Sequence, residues 1–184
     1  MAIIKLYRRE AGGALRYRHY APKGPRARSF MVLTGKVGSA TNSVRPVRVP
    51  DREEYLKQVV SDGADEGFVP FPEDDMAWVV QQFRLRTDDL SHPDDRWLFD
   101  NAENHVGQRL LMRGVGHVDG NDIGGRVFNV FSKVVDGDAA VESLRTLDRV
   151  DKRFAQQTVA VRTPGMPEYE VRFPKAGNPD FEPC

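Results

Sequence analysis

Residues 3–8 alternate apolar and charged side chains, and residues 15–20 do so again with Gly12 and Gly13 between them, a pattern that predicts a β-hairpin. In its second strand Leu15, Tyr17 and His19 fall on one face and Arg16, Arg18 and Tyr20 on the other, so one face of the hairpin is basic. Pro22, Gly24 and Pro25 make 21–27 a loop, and residues 29–33 and 44–49 read as two further strands around a turn at Gly35 and Gly38. A small antiparallel sheet follows. The period then lengthens to that of a helix. Asp51 with Glu54 three residues on is a capping box, Tyr55, Leu56, Val59 and Val60 share a face that would cover the sheet, and Gly63 is read as the stop.

Pro70, Phe71, Pro72, Glu73, Asp74 and Asp75 resist both helix and sheet and predict a linker. Beyond it, 78–86 reads as a strand and 96–108 as a helix capped by Asp94 or Asp95, with Trp97, Leu98, Ala102, His105 and Val106 inward. Residues 110–117 read as a strand, a glycine-rich loop follows, and 127–135 is a strand with Phe128 and Phe131 on opposite faces. A helix over 139–150 buries Val141, Leu144 and Leu147, and 158–163 with 169–173 closes as a strand pair. The order βαββαββ predicts a ferredoxin-like sandwich with one extra strand. The expected fold class is therefore α+β: a small basic β-rich domain over 1–70, a linker at 71–76, a ferredoxin-like domain over 77–173 and a loose tail over 174–184.

The 184 residues, 40% of them hydrophobic and 29% charged, supply enough apolar material for a core. No apolar run approaches the roughly 20 residues of a membrane span, and the N-terminus lacks the apolar stretch of a secretory signal, so the cytoplasm is the expected location. The single cysteine, Cys184, excludes an intramolecular disulfide and a multi-cysteine zinc site.

Charge changes the picture most. The first fifty residues hold eleven Lys or Arg against one acid, a net of +10, and the next fifty hold fourteen acids against five bases, a net of −9. A basic segment of this size concentrates anions and can neutralise several phosphates. Arg16, Tyr17, Arg18 and Tyr20 interleave guanidinium groups, which grip phosphates, with rings that stack on bases. Arg26, Arg28, Lys36, Arg45 and Arg48 extend the charge. These cations either form a polyanion site or pair with the acids that follow, and the sequence leaves both open. The leading expectation is a non-enzymatic, two-module binding protein whose basic sheet contacts a polyanion, nucleic acid above all. The alternative is an immunity protein or antitoxin that blocks a basic toxin with the acidic stretch 53–100, charge reversal at Asp74, Asp75, Asp94 or Asp95 being its probe.

Other chemistry is thin. Gly114, Gly116, Gly120, Gly124 and Gly125 precede a strand rather than a helix, and no Gly-Lys-Ser/Thr occurs, so a phosphate loop is not expected. Asp119, Asn121 and Gly124 match part of a calcium loop, but Ile123 and Val130 stand where ligands are required. Asp119, Asn121 and Asp122 then serve to shape a turn. His117 and Asp119 could share a strand face as an oriented pair, yet no nucleophile accompanies them. Neither a metal nor a cofactor is expected.

Thr34, Gly35, Lys36, Val37, Gly38 and Ser39, followed by the capped helix and by Glu66, Gly67, Phe68 and Val69, resemble a WGR domain over 3–69. Thr34 and Lys36 stand at that family's Trp and Arg. The resemblance implies a small β-sheet with one helix, a fold that in poly(ADP-ribose) polymerases helps hold DNA ends. The segment 119–131 is similar to a C-terminal module of bacterial proteins, which implies a bacterial origin and no particular chemistry.

Overall fold

The computed structural model describes residues 3–24, 28–40, 42–178 and 181. The chain is mixed α+β and divides into two compact units, Met1–Glu73 with Met112–Gly114, and Asp74–Leu111 with Val115–Cys184.

In the first unit β1 (Ile4–Arg9), β2 (Leu15–Pro22), β3 (Ser29–Lys36) and β4 (Asn42–Arg48) form a four-stranded antiparallel sheet in sequence order. The predicted alternation sets which side chains go inward. Leu6, Tyr20, Phe30 and Val32 share one face and pack with Val49, Val59 and Phe68 in a core that α1 (Arg52–Asp65) covers. Burying a side chain such as Leu6 or Phe30 completely stabilises the unit by about 2 to 3 kcal/mol. The Asp51 carboxylate accepts the Glu54 amide at 2.9 Å, as the capping pattern requires.

The helix does not stop at Gly63. A Cβ at Gly63 would stand 2.7 Å from Leu6 Cδ1, so this glycine is a contact point inside the helix, where α1 lies closest to β1. The stop is Gly67, at φ +78°, with the Phe68 amide donating to the Gly63 carbonyl at 2.7 Å in a Schellman motif. Val69 then pairs with Tyr7 through two backbone bonds and covers the outer edge of β1. At the other edge β4 is mostly exposed and carries Pro46 at its centre.

In the second unit β5 (Ala77–Arg84), β6 (Gly116–Gly124), β7 (Val127–Val134), β8 (Gln157–Arg162) and β9 (Glu170–Phe173) form an antiparallel sheet in the order β6-β7-β5-β8-β9. Helices α2 (Pro93–Met112) and α3 (Gly137–Leu144) pack on the face that carries Val79, Phe83, Phe128 and Val161: Phe99 of α2 lies 5.6 Å from the Phe128 ring, and Gly137 of α3 abuts Val161. That face also buries a polar chain. Gln81 donates to Gln157, and Gln157 donates to the Leu144 carbonyl at 3.3 Å, which ties β5, β8 and α3 together. On the other face Gln82 donates to Asn129 at 3.0 Å and Asn129 to Asp122 at 2.8 Å.

Several boundaries differ from the expected ones. Residues 110–112 continue α2, which ends in a second Schellman motif: Gly114 takes φ +64° and the Val115 amide donates to the Leu110 carbonyl at 2.9 Å. The expected glycine-rich loop is mostly strand β6, where a Cβ at Gly116 would fall 2.2 Å from the Lys133 carbonyl oxygen. Here glycine permits close strand packing instead of opening a loop. Only Gly125 and Arg126 remain as a two-residue hairpin turn. Neither Asp94 nor Asp95 caps α2. Pro93 opens it, and His92 Nδ1 accepts the Asp94 amide at 3.2 Å. The expected helix over 139–150 is shorter, with Asp136 capping α3 and 3-10 turns at Leu147–Arg149 and Lys152–Phe154 completing the run. The described part of 174–184 lies against the sheet: Asn178 donates to Thr158 Oγ1 at 2.9 Å, and the Phe181 ring meets Tyr169 edge-on at 6.4 Å.

Candidate functional site

The cations singled out from the sequence meet different fates once the first sheet forms. Arg16 stands directly opposite Arg8 on β1 and Lys36 on β3, so three positive side chains form a row across three strands. Glu10 accepts from Arg16 Nε at 2.8 Å. Arg18 lies 4.5 Å over the Phe68 ring and donates twice to Glu66, at 3.0 and 2.6 Å. This bidentate bond and the charge behind it hold the Glu66 carboxyl below its ordinary value and push Arg18 further up. Arg8 also lies over Phe68 and donates to the Glu66 carbonyl at 3.2 Å. Arg8 and Arg18 thus serve the C-terminus of α1, where carbonyls and the helix dipole favour cations.

Two expected stacking residues are not available. Tyr17 is buried: its hydroxyl donates to the Met112 carbonyl at 2.7 Å, and its ring lies where a Cβ of Gly114 would be, 2.1 Å away. Tyr20 is buried in the core beside Tyr55. An aromatic ring inside a sheet core is more stable there than exposed, so Tyr20, expected on a basic outer face, is instead held by the core.

Arg28, Lys36, Arg45 and Arg48 are exposed, and none of them forms an ion pair among the described residues. They do not lie in one plane. Lys36 and Arg45 belong to the face that carries α1, while Arg48, opposite Ser29, belongs to the other. Arg26 and Cys184 lie outside the described residues. Lys5 on β1 is partly buried, which lowers its ammonium to about 8.

Among the acids, Asp74 and Asp75 are exposed in the 3-10 turn Glu73–Asp75, and Asp94 is half-exposed, 3.4 Å from Arg86. Asp95 cannot face a partner. It is buried, and one oxygen accepts the Arg86 and Thr87 amides at 2.9 Å each and the Thr87 hydroxyl at 3.1 Å. Burial works to raise this carboxyl, but the two amides and the hydroxyl outweigh it and hold it below its ordinary value.

The second unit contains a cavity of about 770 Å³ on the sheet face opposite α2 and α3. Trp78, Phe131, Arg162 and Tyr169 line it with Asp119 and Asp122. Trp78 and Arg162 are register partners across β5 and β8, and the β-bulge between Val118 and Gly120 turns Asp119 into the opening. His117 is not among the lining residues, so the cavity does not present the His117–Asp119 pair. Asn121 donates to Glu103 at 3.0 Å. Of the lining residues, Asp119, Gly120, Asn121 and Asp122 were singled out beforehand. The signal for the rest was the period-2 placement of Trp78, Phe131 and Arg162 on the polar side of their strands. Among the described residues no helix is long and apolar enough to cross a membrane, and no three His, Cys, Asp or Glu side chains gather as a metal site.

No protein-family model, no curated protein and no solved structure matches the chain.

Proposed function

We propose that the protein is a non-enzymatic, cytoplasmic binding protein whose first unit contacts a polyanion, nucleic acid above all, through Arg16, Lys36 and Arg45, with Arg28 and Arg48 at the margin. Tyr17, Tyr20 and Arg18 take no part in this reading, because the fold already uses them. The observation that carries it is that Arg28, Lys36, Arg45 and Arg48 are exposed and form no ion pair among the described residues, while Arg16, also exposed, is held by Glu10 at the surface. Unpaired surface cations attract a phosphate backbone, and neutralising its charges releases counterions. On this reading the first unit is a WGR-like module, supported by its sheet in sequence order with one helix, and the second is a ferredoxin-like sandwich, supported by the strand order β6-β7-β5-β8 and its two helices.

A gel shift with labelled duplex and single-stranded DNA tests it. Binding is expected at about 50 mM salt and should weaken steeply as salt rises. Lys36→Gln and Arg45→Gln, both at exposed positions, should each reduce the salt slope by about one. Absence of binding at the low salt overturns the proposal.

The exposed pair Asp74 and Asp75 supports a second reading, an immunity protein or antitoxin that meets a basic toxin with its acidic surface. A copurifying partner released by Asp74→Lys and Asp75→Lys, with no DNA shift, would favour it over the first.

A further inference from the structure

Arg162 is the odd member of a set. Arg8, Arg18 and Arg153 each lie over an aromatic ring, and each donates to a carboxylate or carbonyl: Arg8 to the Glu66 carbonyl, Arg18 to the Glu66 side chain, Arg153 to Asp151. The Arg162 guanidinium lies 5.0 Å from the Tyr169 ring and 5.9 Å from the Trp78 ring, inside the cavity of the second unit, and makes no hydrogen bond or ion pair among the described residues. A half-buried guanidinium beside two rings, with no acceptor among the described residues, keeps its planar fork of donors for a phosphate or carboxylate, which it can take with two parallel bonds.

The far end of the cavity has the opposite character. Asp119 and Asp122 stand on β6, three strands from Arg162 in the order β6-β7-β5-β8, which is roughly 14 Å between backbones. One Asp122 oxygen accepts from Asn129, and the carboxylate has a second to offer. These acids suit N–H and O–H donors. Between the two ends the floor is the ring of Phe131, half-exposed. A ligand that satisfies this layout has one anionic group, a flat ring in the middle and donors at the other end. Asp119, Asp122 and Glu168 together outnumber Arg162 in the lining, which disfavours a polyphosphate or a continuous strand of phosphates.

We propose that the cavity binds a nucleoside monophosphate, with the phosphate at Arg162, the base over Phe131, and the base amino or ribose hydroxyl groups at Asp119 and Asp122. The site is separate from the basic sheet, and the two proposals stand or fall independently.

Titration calorimetry of the full chain with AMP and CMP, together with quenching of Trp78 emission, tests it. Saturable binding at or below millimolar nucleotide is expected. Arg162→Gln should weaken it by at least about tenfold, the size of one lost charged bidentate contact, with Arg162→Lys in between. Asp119→Asn, at an exposed position, should lessen the preference among bases. ATP should bind more weakly than the monophosphates. The proposal is overturned by no saturation at millimolar monophosphate, by affinity unchanged in Arg162→Gln, by inorganic phosphate binding as well as the nucleotide, or by tighter binding of ATP.

Discussion

Arg18 in the first unit and Arg162 in the second share a residue type and a setting, a guanidinium laid on aromatic rings, and they differ in what neutralises them. Arg18 has Phe68 beneath it and Glu66 in front. Arg162 has Trp78 and Tyr169 but no acid among the described residues. Arg153 is the control within the second unit: it lies 3.5 Å over Trp97 and, through a bidentate contact, holds the Asp151 carboxyl down to about 2. Aromatic contact therefore fixes where a cation sits, and the carboxylate decides whether the fold has absorbed it. A charge count weights all three equally, and a +10 segment overstates the charge available to a partner.

The comparison breaks most readily at the absorbed acids. Asp95→Ala leaves two amides and a hydroxyl without their acceptor and should cost about 2 to 3 kcal/mol, while Asp94→Ala should stay within about 0.5 kcal/mol. Equal losses in urea unfolding would erase the distinction between engaged and open carboxylates. Arg18→Gln comes next, at about 1 kcal/mol from lost packing on Phe68, and the same denaturation measures it.

Acid sharpens the contrast further. Because Arg18 holds Glu66 below 4.5, the unfolded chain binds that proton more readily than the folded one. The stabilisation is complete above about pH 5 and fades as pH falls through the folded value. The Tm gap between the unmodified chain and Glu66→Gln should therefore close as pH falls below the ordinary carboxylate range, and a gap that stays constant refutes the pair. Arg162→Gln should be the mildest, within about 0.5 kcal/mol, since no acid depends on it.

How far the sequence carried these conclusions follows from the range of each interaction. The alternation of β1 and β2, the Asp51 cap and the βαββαββ order are local, and they were legible. The ends of α1 and α2 were not. Gly63 and Gly67 look alike in sequence, and only the approach of Leu6 to one and the positive φ of the other separate contact from stop. The pairing of Arg18 with Glu66 joins residues 48 apart in the chain. Tyr17 read as a stacking residue because its neighbours are basic, whereas its environment is set by Met112 and Gly114. The alternation of their strands places Trp78 and Arg162, but no local signal joins them, and it is the β5–β8 register that makes them neighbours.

Pro46 has a consequence for how this protein behaves in a crowded solution. A terminal strand ordinarily offers a ladder of amides and carbonyls onto which another chain can crystallise as fibre, but proline brings no amide to that ladder, and Arg45 and Arg48 beside it repel a second copy of themselves. The sheet is thereby guarded against polymerising along β4.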